Sequence, residues 1–332
     1  IFSFAMLGII GYFALSAMQS GDESSIGVTL AKQITELYPI SRLFMSYYNF
    51  PMYYGMGFYI VLSIVVFYLF VKIASLKYGL LNTLANTKSR YANDKVSYER
   101  KSVFFALYQK ELGRFLSSYM AVLNAGLGVI LLCVFSICFL FNSVGQIGNS
   151  VGIENINEYL SNLAPIFIAS MLSLSCPAAS SISLEGKNIW ILKSSPVEVK
   201  MILNAKIAVN LTLHLIGYMI SVSVFMLKLD MNPIQVMNLV IVPICYSLFI
   251  TVIGISLNKK YPNYDWDSEM IVVKQSLPVI VTGIIGMITL IMPILLNWLF
   301  NLPIIFVLQV ASVVLLVITM GVYLTISKSN FI

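Results

Sequence analysis

Apolar stretches of bilayer length alternate with short polar segments along this chain. Uncharged apolar runs of about 20 residues mark candidate membrane spans, and eight are predicted, near 1–19, 54–76, 119–141, 163–183, 207–227, 236–257, 277–296 and 303–326. The last two are separated only by Asn297-Trp298-Leu299-Phe300-Asn301-Leu302-Pro303, where Asn297, Asn301 and Pro303 supply a tight turn. Residues 275–327 contain no Asp, Glu, Lys or Arg, a run long enough for two spans.

Two polar stretches divide the pattern unevenly. Residues 77–101 are basic and short of aliphatic runs, and read as a linker with two spans before it and six after. In residues 102–118, Phe104, Tyr108, Leu112 and Phe115 recur at helical spacing, with Gln109, Lys110 and Arg114 on another side. Such an amphipathic helix either lies in the membrane interface or simply begins the span at 119.

Composition agrees with this pattern. Apolar residues make up 59% of the chain, charged residues 10%, and the mean hydropathy is +0.89. A soluble domain carries about 25% charged residues, so the fold class expected is an all-α polytopic membrane protein. The four cysteines lie in apolar runs without a C-x-x-C, and no disulfide framework is expected. The chain opens on Ile1 with no charged region before its first apolar run, which reads as an internal residue rather than a signal peptide.

Charge sets the orientation. Segments 72–118, 184–206, 258–276 and 327–332 hold 17 of the 20 Lys and Arg residues, whereas the acidic residues divide 8 to 6. The bias belongs to the basic residues, so the first set and the C-terminus are expected in the cytoplasm of a multi-pass plasma-membrane protein. The sequence pI near 9.0 then reflects attraction to lipid headgroups of the bilayer, and no nucleic acid is invoked.

The chemistry that is missing narrows the function. No G-x-x-x-x-G-K-[ST] occurs, so the chain has no P-loop of its own. His214 is the one histidine, and it shares a helix face with Asn210. The pair reads either as an intramembrane functional site or as a helix–helix hydrogen bond. Cys176-Pro177-Ala178-Ala179-Ser180-Ser181 is a candidate helix break, or a set of small residues with one proline kink. Without a charged track at mid-depth, the spans favour a lipid-like or amphipathic peptide cargo over a small ion.

Two loops on the basic side remain. In residues 185–206, Ser195 as N-cap, Pro196 at the first position and Glu198 at the third predict a capping-box helix running towards Lys206. Asn188-Ile189-Trp190-Ile191-Leu192 sets an apolar patch just before it. This is an interfacial Trp anchor with a protruding helix, or a docking element for a partner. In residues 259–276, Tyr261, Tyr264 and Trp266 mix with Asp265, Asp267 and Glu269, again either as a solvated turn or as a partner contact.

At these residues the sequence resembles the membrane subunits (permeases) of bacterial ABC exporters of the type two class, and more narrowly their double-length Gram-positive form. The stretches that carry the resemblance are 107–128, 183–207 and 263–276, together with the six-span spacing after residue 118. It implies an interfacial elbow helix at 103–117, with Phe104, Tyr108, Glu111 and Arg114. A coupling loop at 184–206 would dock on an ATPase through Glu185, Lys187, Trp190, Lys193, Ser195, Pro196, Glu198 and Lys200. A second contact would run through Tyr264, Asp265, Trp266 and Glu269.

On this resemblance residues 1–76 are the last two spans of a first half, with an outer loop at 20–53. Residues 77–102 are the cytoplasmic linker, 103–326 the second half, and 327–332 a cytoplasmic tail. The expected function is the transmembrane subunit of an ATP-driven exporter, itself no enzyme and holding no cofactor. ATP and Mg would sit on separate cytoplasmic ATPase subunits, in two copies. The rivals are a proton-coupled secondary transporter that uses His214 and a membrane scaffold or sensor.

Overall fold

The computed structural model describes residues 52–87, 102–141, 144 and 156–328, and among these every regular element is helical. Helices satisfy all their backbone donors and acceptors within one segment, which an apolar environment requires. The chain divides into two units. The first contributes helix α1 (Met52–Thr87), whose apolar stretch is Ile60–Ile73. This helix runs on past the span predicted at 54–76 and through Leu80, Leu81 and Leu84 of the expected linker, all strong helix formers. The span predicted at 1–19 and the loop at 20–53 lie outside the described residues, except for the last two positions of that loop.

The second unit contains α2 (Val103–Ser117), α3 (Tyr119–Ala125), α4 (Leu127–Phe141), α5 (Ile156–Ser173) and the short α6 (Ile189–Ser194). It continues with α7 (Val199–Lys228), α8 (Pro233–Lys260), α9 (Leu277–Phe300) and α10 (Ile304–Lys328). Five helical runs among the described residues are long and apolar enough to cross a membrane, and a sixth appears if α3 and α4 count as one span.

Helix α8 is the centre of the bundle. Its Leu239 joins Leu132, Ile168 and Phe225 in one apolar cluster, and its Val242, Tyr246 and Phe249 meet Ile166, Leu308 and Leu315 in a second. Its Val252 and Ile255 close a third with Ala178, Ile182 and Leu203. Two-thirds of the apolar window of α8 is buried against 17% for the α9 run, so α9 is peripheral. Hydroxyls join helices across this core, with Ser136 and Ser221 Oγ 2.8 Å apart and Tyr246 donating to the Thr289 carbonyl at 2.9 Å.

Two of the predicted spans are not continuous helices. The one at 119–141 bends by 63° between α3 and α4 at Gly126. The cause is an inserted side chain: Ser175 Oγ donates to the Ala125 carbonyl at 2.6 Å and takes it out of the helical ladder. The span predicted at 163–183 stops as an α-helix at Ser173. Pro177 has no N–H to continue it, and Cys176 before it takes a non-helical conformation (φ −131°, ψ 74°). The candidate break at 176–181 is thus a real break, not a kink within a helix.

Helices α4 and α5 approach as closely as backbone allows. A Cβ on Gly128 would stand 2.0 Å from the Met171 carbonyl oxygen. Gly128→Ala is therefore expected to push the helices apart and lower stability by about 1–3 kcal/mol, measured by thermal unfolding in detergent.

Candidate functional site

The chain between α5 and α7 forms one end of the bundle, and its path follows from where its backbone finds partners. The Ser175 carbonyl accepts a hydrogen bond from His214 Nε2 on α7. With Nε2 carrying the proton, Nδ1 accepts from the Ser247 hydroxyl of α8 at 2.7 Å, and this neutral tautomer satisfies both ring nitrogens. Asn210 accepts from the Ala178 N–H at 3.1 Å and donates to Thr251 Oγ1 at 2.6 Å. The 3.4 Å approach of Asn210 Nδ2 to His214 Nε2 sets two donors face to face and is not a bond. Asn210 and His214 share a helix face as expected, and their work is to satisfy the broken helix.

Further along, Asn258 Oδ1 accepts from the N–H groups of Ile182 (2.7 Å) and Ser183 (3.1 Å), while its amide donates to Ser183 Oγ at 2.7 Å. A tight turn follows. Gly186 takes φ +54°, and a Cβ there would lie 3.3 Å from the ring of Trp266, whose Nε1 donates to the Ser183 carbonyl at 2.8 Å. A side chain at 186 would meet both backbone strain and the indole.

Inside this end lies a cluster of five charged side chains. Lys206, fully buried on α7, stands 2.8 Å from both Glu111 Oε1 and Glu185 Oε1 and donates to the Ser181 carbonyl at 2.9 Å. Its ammonium has three protons, and each has an acceptor. Arg114 pairs with Glu111, reaches Glu185 Oε2 at 2.8 Å and donates to the same Ser181 carbonyl at 3.0 Å. Lys110 adds a contact to Glu185 at 2.9 Å from the half-exposed edge. Three cations thus face two carboxylates that are 5% exposed. Helix α2, the loop before α6 and the start of α7 meet at this one point.

The sequence-predicted residues divide between interior and surface. Glu185 and Glu111 are buried in the ionic cluster, which corrects the expectation that Glu185 faces a partner. Nor does Ser195 start a helix with Glu198 as its third residue. Ser195 precedes Pro196, which holds it extended (ψ 144°), and it ends α6 with its hydroxyl donating back to the Leu192 carbonyl at 2.8 Å. Glu198 is itself the residue before α7, and makes no capping bond with its side chain. The α-helix in this loop is the Ile189–Ser194 stretch, where the sequence predicts only an apolar patch.

Helix α6 buries Ile189 and Leu192 against Ile202, Leu107 and Tyr264, and turns Trp190 (64% exposed) and Ile191 outward. Lys187, Lys193, Pro196, Glu198 and Lys200 are exposed around them. The second loop packs behind α6. Burial raises the Tyr264 phenol pKa, and the Glu185 carboxylate acts in the same direction. Lys193 Nζ lies 6.0 Å from the Tyr264 ring. Ser118, which ends α2 and caps α3, donates to Glu269. Tyr264, Trp266 and Glu269 therefore contact the chain itself, whereas Asp265 is exposed.

Helix α2 has the bounds expected of the elbow, with Ser102 capping it through the Phe105 N–H at 3.3 Å. Its inward residues are Glu111 and Phe115, and Tyr108 donates to Thr212 at 3.2 Å, while Phe104 is exposed. Glu111 and Arg114 of α2 thus face the bundle, while Lys110 reaches in from its exposed edge. Lys206, Asn258, Ser175 and Ser181 were not singled out in the sequence. The spacing of Lys206, Asn210 and His214 by four residues, one polar stripe on α7, is the signal that could have placed Lys206 inside. Among the described residues no group of three or more His, Cys, Asp or Glu is placed to hold a metal ion.

The long apolar helices and the absence of strand among the described residues define a polytopic helical membrane protein. Residues 129–329 match the model of the family described as "Putative ATP-binding cassette". That range is more than half of the chain, and the chain belongs to this family. No curated protein and no solved structure matches.

Removing one partner from the buried cluster leaves charge uncompensated. Lys206→Met is expected to cost about 3–5 kcal/mol of stability. Combining it with Glu185→Gln should cost less than the sum of the two single variants, by about 0.5–3 kcal/mol. Unfolding in detergent of the two single variants and the double variant closes this cycle.

Proposed function

We propose that the chain is the transmembrane (permease) part of an ATP-driven ABC exporter in the plasma membrane. The single observation that carries this reading is the braced outward face of α6. Trp190 and Ile191 are exposed on a six-residue helix whose other side is packed on α7, α2 and the second loop, above the five-residue ionic cluster. An apolar centre with a charged margin is the anatomy of a protein interface.

The family match supports an ATP-linked function, and its location supports a division of labour. The matched residues 129–329 are the bundle of apolar helices and contain no G-x-x-x-x-G-K-[ST] sequence. ATP and Mg then belong to partner ATPase subunits, two per transporter. The bias of basic residues supports a cytoplasmic position for α6, the 261–276 loop and the C-terminus. In this reading α2 is the interfacial elbow and α6 the coupling helix. Closure of the ATPases presses on α6, and the cluster of Lys206, Glu185, Glu111 and Arg114 passes the displacement to α7 and α2 as one body.

Trp190→Ala should weaken assembly with the ATPase partner about thirtyfold, the behaviour of an interface anchor. Glu198→Lys should reduce stimulated ATP hydrolysis, and neither exposed substitution should lower the unfolding temperature. Unchanged assembly and unchanged ATPase stimulation in both variants would remove the docking role. Transport that survives ATP depletion but collapses with the proton gradient and in His214→Ala would favour a secondary carrier instead.

A further inference from the structure

Between α3, the end of α5 and α9 lies a cavity of about 300 Å³, near the lower end of small-molecule sites. Its polar lining consists of Asn124, Ser170, Ser173 and Thr282, and none of its lining residues is charged. Ser173 and Thr282 lie deep, at 7% and 1% exposure, whereas Leu174 and Met287 at the mouth are 61% and 59% exposed. The depth is polar and the entrance apolar.

Three of the four polar groups already donate to backbone. Ser170 donates to the Phe167 carbonyl at 2.7 Å, Thr282 to Pro278 at 2.6 Å and Asn124 to Met120 at 2.9 Å. Ser170 and Thr282 retain acceptor capacity for a ligand, and Asn124, whose amide nitrogen also lies 3.9 Å from Met120 Sδ, retains its carbonyl oxygen as an acceptor. Ser173 differs. Its buried hydroxyl has no hydrogen-bond partner among the described residues, a condition that folded proteins rarely tolerate without a reason. Glycine keeps the space beside it open: a Cβ on Gly286 would stand 3.7 Å from Ser173 Cβ and 3.0 Å from Ile250 Cδ1.

We propose that this cavity binds the uncharged, hydroxyl-bearing head of an amphiphile, with the Ser173 hydroxyl bonded to it and the tail leaving between Leu174 and Met287. Hydroxyl donors match the acceptors that Asn124, Ser170 and Thr282 retain. A charged head would lose its hydration with no counter-charge to replace it. The volume takes a glycerol-sized head and the first carbons of a chain, and the apolar mouth continues the path for the rest. The site needs no ATPase, and it stands whether or not the chain is a permease.

The test is thermal unfolding of the full purified chain in detergent with 1-decanoylglycerol, against decanoate and decane at equal concentration. A saturable rise in Tm is expected for the monoglyceride and not for the other two. Ser173→Ala should raise the Tm of the ligand-free protein, because an unpartnered hydroxyl is gone, and weaken monoglyceride binding about fivefold, the worth of one hydrogen bond. A Cβ on Gly283, at the cavity wall, meets nothing within 4 Å, so Gly283→Leu should occupy the mouth and abolish the saturable shift without lowering the ligand-free Tm, since leucine favours the helix more than glycine does. Equal shifts from decanoate or decane, undiminished binding in Ser173→Ala, or a full shift in Gly283→Leu would each overturn the proposal. If Ser173→Ala does not fold, the Gly283 variant decides alone.

Discussion

The carbonyl of Ser175, left without a helical partner where α5 stops, is the point from which the rest of this bundle can be derived. In apolar surroundings a bare backbone group is intolerable, so the break exists only because other helices supply what it lacks. His214 on α7 donates to that carbonyl and is itself held by Ser247 on α8. The hydroxyl of Ser175 in turn takes the Ala125 carbonyl and bends α3 from α4. One break thus produces the other, and three helices are fixed in register around the pair. The proline at 177 makes the break compulsory, and the polar stripe on α7 makes it affordable.

From this break the chain runs through the turn at Gly186 to the cluster around Lys206. The two sites lie on one stripe, since Lys206 and His214 are two turns apart on α7, about 12 Å along the axis. Buried ion pairs are weak evidence for stability, because desolvation offsets most of the attraction. Their physical consequence is geometric. Six charge contacts and two bonds to the Ser181 carbonyl leave α2, the 181–188 loop and α7 a single arrangement. A surface built on such a base, as α6 is, moves with the helices rather than independently of them. That is the property a force-transmitting contact needs.

The ligand cavity and the ionic cluster stand on opposite sides of the same structural decision. Where α5 ends, Ser173 is left facing a space that α9 only partly closes, and α9 is the least buried of the membrane-length runs. A peripheral helix with a buried glycine, Gly286, on its inner side can border a cavity without a large loss of packing. The central α8 has no such freedom, since three apolar clusters meet on it.

Sequence alone determined the class of fold, the positions of the last four apolar helices, the bounds of α2 and the shared face of Asn210 and His214. All of these depend on hydropathy or helical period, which are local properties. It misread Ser195 and Glu198 as a cap because a serine before a proline has two uses, and the choice depends on whether the preceding residues already form a helix. It offered Glu185 to a partner at the surface because a charge in a loop is usually solvated, and it assigned Lys206 no role. Only the tertiary structure brought Glu111, Arg114, Glu185 and Lys206 together, from positions up to 95 residues apart. Burial of a charge is a property of its partners, and those partners are neighbours in space, not in the chain.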